Sequence, residues 1–161
     1  MLAAGSLVFS AMLQSEGFAE NKTNVLKIDD LEPPVVKEML RFHTDRVENM
    51  DQLAKNLLVA ADKYLDIDYI DSLKSNCQLA LAETLTVENC CQLLALADSH
   101  SAADLKNVAM KFTIRHLDEL MKCESWRQLK RTYPHLGFQV VETMVCVCYA
   151  TTDEEESSSD Q

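Results

Sequence analysis

Two consecutive helix-forming patterns occupy the segment from Thr86 to Lys106. Apolar residues recur there three or four positions apart, as one face of a helix requires: Val87, Cys90, Cys91, Leu94 and Ala97. Thr86 precedes them and is a favoured N-cap, because its hydroxyl can accept a hydrogen bond from a first-turn amide. The polar run from Asp98 to His100 interrupts the pattern, and Ser101 with Asp104 predicts a second cap. So short a link predicts two antiparallel, packed helices.

The rest of the chain shows mostly the same helical spacing. Further helices are predicted at Val8 to Leu13, Val35 to Phe42, Met50 to Tyr64, Tyr69 to Ala82, Leu105 to Met121, Ser125 to Leu129 and Phe138 to Tyr149. Val25 to Ile28 alternates enough to predict one short strand. With three glycines and three prolines in 161 residues, tight hairpins are disfavoured and the fold is expected to be mainly α.

The C-terminal helices carry two further expectations. Tyr133 to Gly137 predicts a turn, and Trp126 is expected to close the last helices together with it. The last helix is expected to bury one apolar face, formed by Phe138, Val141, Val145 and Cys148.

The chain is acidic, with 26 Asp and Glu residues against 15 Lys and Arg and a net charge of −11. Phosphate binding requires a basic surface, so nucleic acid is not expected as a partner. Residues 151–161 include Asp153, Glu154, Glu155, Glu156 and Asp160 and are expected to form a disordered acidic tail. No apolar run reaches about 20 residues, so no membrane partner is expected.

The N-terminus and the six cysteines bear on the compartment. Met1 to Leu13 is apolar and is followed by Gly17-Phe-Ala19, which is similar to a signal-peptide cleavage site, but no Lys or Arg precedes it. Neither Cys90 with Cys91 nor Cys146 with Cys148 has zinc-ribbon spacing. We expect reduced core thiols in an intracellular protein, cytoplasmic or nuclear or both. A secreted helical protein with disulfides is the alternative.

Two side-chain groupings could suggest catalysis. His100 lies near Asp98 and Asp104 in the sequence, and Cys123 could be paired with His116. Helix-end residues explain the first grouping, and no oriented base or glycine-rich oxyanion or phosphate loop accompanies the second. We therefore expect no enzyme activity, no catalytic residue, no cofactor and no metal site.

Several segments, in order, resemble the second half of a BTB/POZ domain and the BACK-type helices that follow it in the speckle-type POZ (MATH-BTB) family. The BTB/POZ resemblance is carried by Val8 to Met12, Ile28 to Pro33, Val36 to Phe42 and Leu57 to Tyr64. The BACK resemblance is carried by Thr86 to Asn89, Leu96 to Ser101, Asp104 to Lys106, Trp126 and Tyr133 to Leu136. The resemblance implies a partial BTB/POZ domain at 1–83, with one residual short strand, and a BACK-like helical bundle at 84–150.

The resemblance also implies a function, that of an adaptor for a cullin-3 ubiquitin ligase. In that family a hydrophobic-x-Glu motif docks on the cullin, and the matching loop here, Gln14 to Asn24, contains Phe18 and Glu20. The implied partners are a cullin-3-type scaffold and related BTB proteins, through homo- or hetero-association.

The chain departs from the family at its beginning. It starts near the middle of the BTB/POZ fold, and the opening strands and the MATH domain that captures substrates have no counterpart in the sequence. An N-terminally truncated adaptor is therefore expected. The alternatives left open are a competitor of related adaptors and a BTB scaffold that takes no part in ubiquitination.

Overall fold

A computed structural model describes residues 28, 30–42, 50–64 and 67–156, with side-chain surroundings for all of these except 40, 51, 67–70 and 147–156. Across those ranges the backbone forms helices and no strand. The helices are α1 Pro33–Arg41, α2 Met50–Tyr64, α3 Ile67–Glu83, α4 Cys90–Ser99, α5 Ala103–Arg115, α6 Leu117–Leu120, α7 Glu124–Thr132 and α8 Pro134–Glu156. The mainly α expectation is confirmed. The predicted helix at 8–13 and residues 25–27 of the predicted strand lie outside the described residues.

The chain divides into two compact units, residues 1–84 and 85–161. In the first unit, α2 packs along α3 and also contacts α1. Their facing side chains are almost completely removed from water: Val35, Met39, Leu57, Leu58, Ala61, Leu73 and Cys77. The apolar side chains of α2, Leu57 and Ala61 among them, therefore form its core face.

A polar contact ties the segment before α1 to the end of α2. Lys63 donates a hydrogen bond to Asp30 over 2.5 Å, and the Tyr64 hydroxyl donates to the other oxygen of the same carboxylate, also over 2.5 Å. The two bonds lower the pKa of Asp30. They hold the start of α1 against α2 across a large sequence separation.

In the second unit, α4 packs against both α5 and α7, while α8 packs against α7 and α5. The shared core is formed by Cys90, Cys91, Leu94, Ala109, Met110, Leu120, Trp126, Leu129, Leu136 and Val140. Tyr133 packs against this cluster. The expected closure of the last helices by Trp126 and the residues near Tyr133 is confirmed.

The start of α4 is capped as the sequence indicates. The Asn89 amide donates a hydrogen bond to the Thr86 hydroxyl over 3.3 Å, and the Thr86 amide donates to the Asn89 side-chain carbonyl over 2.8 Å. This reciprocal pair is a capping box in which Asn89 takes the position more often held by Glu or Gln. The Cys90 amide also bonds the Thr86 carbonyl, so the helical turn begins before regular α4.

The predicted cap at Ser101 is wrong. Ser101 has a φ of 51° and is the left-handed residue that follows the C-cap of α4, while Ala102 occupies the N-cap position of α5 without a side-chain cap. The Ala102 amide bonds the Ala97 carbonyl over 2.8 Å, and the Ser101 amide bonds the Asp98 carbonyl over 3.4 Å. These are the two bonds of a Schellman motif, a position where glycine is usual. The left-handed residue lets the chain reverse within two residues.

Two other predicted boundaries change for reasons of packing. The helix predicted from Leu105 to Met121 is broken at His116, which separates α5 from the short α6. The residues after this break lead to α7, which packs on α4.

The predicted turn from Tyr133 to Gly137 is also wrong. Pro134 begins α8, a position where its fixed φ and missing amide are tolerated. Gly137 lies inside the helix, where an added Cβ would come within 3.1 Å of the Lys130 side chain. The glycine therefore serves the close approach of α8 to α7 rather than a turn.

The apolar face predicted for the last helix is not the one that is buried. Leu136 and Val140 are fully buried, whereas Phe138, Val141 and Val145 are 71%, 52% and 45% exposed. The side chain of Cys148 lies outside the described part. Helix α8 also extends through residues 151–156, six positions of the predicted disordered tail, and residues 157–161 are outside the described ranges.

One carboxylate joins three helices of the second unit. Asp98, near the end of α4, accepts hydrogen bonds from Lys106 of α5 over 2.6 Å and from the His135 ring of α8 over 2.7 Å. The bond from Lys106, followed by that from His135, lowers the pKa of Asp98 below its ordinary 3.8. Asp98 is therefore a charged tie between the α4–α5 hairpin and α8.

We expect Ser101→Gly to stabilise the protein by about 0.5–1 kcal/mol, because glycine adopts the left-handed conformation without strain. Ser99→Gly is the matched control. Ser99 is exposed in the last turn of α4, where glycine should cost about 0.5–1 kcal/mol. Urea unfolding followed by far-ultraviolet circular dichroism measures both. Equal destabilisation by the two changes would contradict the left-handed assignment.

We expect Asp98→Asn to lower the free energy of unfolding by about 1–2 kcal/mol at pH 7. Because the folded pKa of Asp98 is depressed, its contribution is present above pH 3.8 and is lost as the pH falls through the folded value. The difference between variant and wild type should thus shrink at a pH well below 3.8. Asp118→Asn, at an exposed position of α6, should have little effect at either pH. A constant difference across pH would exclude the charged tie.

Candidate interaction surface

The residues predicted to dock on a partner, Phe18 and Glu20, lie outside the described residues. The second unit offers surface features that can be described directly. They are two open grooves, one exposed apolar helix face and two groupings of titratable side chains.

The first groove lies between α4 and α7 and has a volume of about 260 Å³. Its lining mixes small apolar and uncharged polar side chains: Cys91, Gln92, Ala95, Ser125, Gln128, Leu129, Thr132 and Tyr133. Hydroxyl and amide groups of this kind can form hydrogen bonds with a peptide backbone. The lining contains no carboxylate, histidine or cation, so the groove suits contact with a partner better than acid–base catalysis.

The second groove lies between α5 and α8 and has a volume of about 270 Å³. It is lined by Lys106, Asn107, Met110, Lys111, Gln139, Glu142 and Thr143. Lys106 is already bonded to Asp98. Lys111 and Glu142 bring opposite charges to the rim, which again gives a mixed surface rather than a charged binding pocket.

The grouping of His100 with Asp98 and Asp104 does not form a catalytic pair. Both oxygens of Asp98 accept hydrogen bonds, one from Lys106 and the other from His135. His100 ends α4 as its C-cap and is half-buried. The tie between Asp98 and His135 has no sequence signal, because 37 positions separate the two residues.

Cys123 and His116, the second grouping, each contact nearby residues instead of each other. The Cys123 thiol donates a hydrogen bond to the Glu119 carbonyl over 3.4 Å. The His116 ring lies 3.7 Å from the Glu119 carboxylate and stacks on Phe112 with centroids 4.4 Å apart. Cys123 and His116 thus have different contacts, and the geometry supports no nucleophile with an aligned base.

The cysteines that the structure describes are free thiols, namely Cys77, Cys90, Cys91, Cys123 and Cys146. Cys77, Cys90 and Cys91 are buried, which confirms the expectation of core thiols. Burial raises the pKa of Cys77 to about 12. The interaction between the adjacent thiols of Cys90 and Cys91 lowers the pKa of Cys90 and, with burial, raises the pKa of Cys91.

Among the described thiols, we expect iodoacetamide to modify Cys146 at least about tenfold faster than Cys77, Cys90 or Cys91 in the folded protein. Cys146 is exposed, whereas Cys90 has no accessible surface despite its lowered pKa. Peptide mass spectrometry after timed alkylation measures the rates. In denaturant these differences should largely disappear. Native-state modification of Cys90 at the rate of Cys146 would contradict its burial.

Within the described ranges, no cluster of His, Cys, Asp and Glu side chains has the arrangement of a metal site. A search of the same residues finds no helix with the length and apolar character needed to cross a membrane.

Comparison with protein families matches both parts of the chain. Residues 1–85, more than half of the 161 residues, match the BTB/POZ domain model. Residues 90–133, which include α4 to α7, match the BACK model, described as BTB And C-terminal Kelch. Domains of these two kinds indicate a protein-interaction adaptor and are typical of non-enzymatic proteins. The chain belongs to the BTB/POZ domain family and carries a BACK region after its BTB/POZ region.

Proposed function

We propose that this protein is an adaptor that docks on a cullin-3-type ubiquitin ligase scaffold through its BTB/POZ region. The observation that carries the proposal is the order of the matches, with a BTB/POZ region at 1–85 followed at once by a BACK region at 90–133. This pairing is typical of cullin-3 adaptors. Homo- or hetero-association with related BTB proteins is the second kind of contact proposed for the same region.

Within the BTB/POZ family, we assign the chain to the speckle-type POZ (MATH-BTB) group. The segments that support this assignment run through both regions, from Val8 to Met12 as far as Tyr133 to Leu136. The proposed layout is a partial BTB/POZ domain at 1–83, a BACK-like region at 84–150 and an acidic tail at 151–161. In this layout residues 1–83 supply the cullin contact and residues 84–150 supply the BACK region.

The proposed cullin contact is the motif formed by Phe18 and Glu20. A phenylalanine can fill a pocket on a partner and become a main source of binding energy. A carboxylate one residue away can fix the register of the complex through a charge-assisted hydrogen bond. The two residue types therefore supply affinity and orientation from a single short loop.

The BACK region is proposed as a rigid extension of the adaptor. Its helices share one core that includes Leu94 and Trp126, both nearly inaccessible to water. The Asp98 tie adds polar contacts between α4, α5 and α8. A helical unit closed in this way can hold a binding surface in a fixed geometry without any catalytic machinery.

We expect the double change Phe18→Ala and Glu20→Ala to abolish binding of the purified protein to the N-terminal region of cullin-3, a loss of at least about tenfold in affinity. Removing the aromatic ring deletes the anchor, and removing the carboxylate deletes the oriented hydrogen bond. Isothermal titration calorimetry measures affinity and stoichiometry.

The matched control for this test is Gln14→Ala with Lys22→Ala, which alters the same loop outside the motif. This control should bind as tightly as the wild type. Unchanged binding by the Phe18 and Glu20 variant would exclude the motif as the contact. A wild-type protein that does not bind cullin-3 at all would exclude the proposed function.

A further inference from the structure

The first groove, which we call the α4–α7 groove, has walls of small or uncharged side chains. Gln92 and Ala95 of α4 form one side, and Gln128 and Thr132 of α7 form the other. Both glutamines and Thr132 are exposed, so their amide and hydroxyl groups face water. These polar groups are thus available for hydrogen bonds with a molecule that lies between the two helices.

The polar groups of the groove indicate the form of its occupant. A helix satisfies its own backbone amides and carbonyls internally, whereas an extended segment leaves its backbone groups open to side-chain partners. The side-chain amides of Gln92 and Gln128 can each donate and accept hydrogen bonds, which is what an extended peptide backbone requires. The α4–α7 groove therefore suits an extended segment of protein better than a helix.

A basic helix face borders the groove. The last turn of α7 contains Lys130 and Arg131, and Arg127 lies one turn before Arg131. Positions three and four apart are neighbours on a helix, so Arg131 lies beside both Gln128 and Arg127. Both arginines are exposed. Positive charge therefore follows the outer edge of the α7 wall, in a chain whose net charge is −11.

Arg131 is the cation of this face that is least engaged within the chain. Arg127 is paired with Glu124 over 2.7 Å, and Lys130 lies over the Trp126 ring, 5.7 Å from its centroid. Among the described residues, no carboxylate is paired with Arg131. A cation in the last turn stabilises a helix through its dipole, but this effect does not occupy the guanidinium donors. Arg131 can therefore bind a carboxylate through two parallel hydrogen bonds.

The acidic residues near the groove leave this positive charge in place. Asp98, near the end of α4, bonds His135, which follows α7 by three positions, so the two helices end on the same side. Both oxygens of Asp98 are occupied, one by Lys106 and the other by His135. Glu88 precedes α4 and Glu124 begins α7, so these carboxylates lie toward the opposite end. Positive charge is therefore concentrated where α4 and α7 end.

We propose that the α4–α7 groove is a docking site for an extended, acidic segment of another protein. The backbone of that segment would bond the side-chain amides of the groove, and its Asp or Glu residues would pair with Arg131 and Arg127. Alternate side chains of an extended segment point to the same side, so acidic residues at every second position fit best. The site does not include Phe18 or Glu20 and is independent of the cullin contact proposed above.

Other polyanions fit less well. A nucleic acid strand is charged along its whole length and would meet the remaining surface of a chain whose net charge is −11. An anionic membrane presents its charge over a broad surface and meets the same repulsion. A phosphodiester backbone also accepts hydrogen bonds without donating them, whereas a peptide backbone uses both the donors and the acceptors of the groove.

The test uses the full-length protein and a fluorescein-labelled synthetic peptide of about eight residues in which Asp alternates with Thr. Fluorescence anisotropy should show saturable binding of one peptide per chain, and binding should weaken as salt is raised. Arg127→Glu combined with Arg131→Glu should weaken binding at least about tenfold. Lys111→Glu combined with Arg115→Glu is the matched control, because these exposed cations of α5 have the same four-residue spacing. The control should bind as the wild type does.

The contribution of the groove has a separate comparison. Ala95→Tyr fills the space between the two walls and should weaken binding at least about tenfold. Ser99→Tyr is the matched control, because Ser99 is exposed one turn later on α4 and does not line the groove. Gln128→Leu removes one amide without filling the groove and should weaken binding at least about threefold. Circular dichroism checks that all variants keep their helical content.

Four outcomes would overturn the proposal. One is the absence of binding to the Asp peptide, or equal affinity for a peptide with Asn in place of every Asp. Another is an equal loss of binding in the α7 and α5 double variants, or in Ala95→Tyr and Ser99→Tyr. A third is a single-stranded RNA of the same charge that binds as tightly as the peptide. The last is binding that appears only after residues 153–156 are changed to Asn and Gln, which would assign the groove to the chain's own acidic segment. The Phe18 and Glu20 variant should bind the Asp peptide normally.

Discussion

The second unit depends on burial of helix α4 between α5 and α7. Its inward side chains, among them Leu93, Leu94 and Ala97, have no accessible surface, and burying each leucine contributes about 1.5–3 kcal/mol. The other features of the unit serve this burial. The capping box at Thr86 sets where α4 begins, and the left-handed Ser101 sends α5 back along it. The glycine at 137 lets α8 approach α7, so that Leu136 and Val140 complete the same core.

Polar contacts in this molecule fix the arrangement of helices that apolar burial has brought together. Asp98 bonds residues from α5 and α8, and Asp30 bonds the last two residues of α2. Both carboxylates have lowered pKa values because donors surround them. Such contacts are directional, whereas apolar packing alone tolerates small shifts in register. The titratable groups that could have suggested catalysis are used instead to hold helices in place.

Membership in a family of interaction domains is consistent with a helical chain whose described grooves resemble contact surfaces more than catalytic sites. The BTB/POZ and BACK matches indicate an adaptor, and the described grooves are open and uncharged or mixed in charge. The groove between α4 and α7 is bordered by exposed arginines that have no role in the core. An adaptor with two contact regions can bring two proteins together, which is consistent with a BTB/POZ region followed by a separate helical unit.

The sequence by itself determined the helical class, the start of α4 and the clustering of Trp126 with the last helices, because each follows from local spacing or capping. The order of the segments that resemble BTB/POZ and BACK regions also indicated the family. Only the structure decided that Ser101 is the left-handed residue after α4, that Pro134 begins a helix, and that Asp98 meets His135 across 37 positions of the chain. The buried face of α8 also could not be predicted, because this helix is apolar on two sides. Periodicity identifies an apolar face, but only the positions of neighbouring helices decide whether that face enters the core or remains available to a partner.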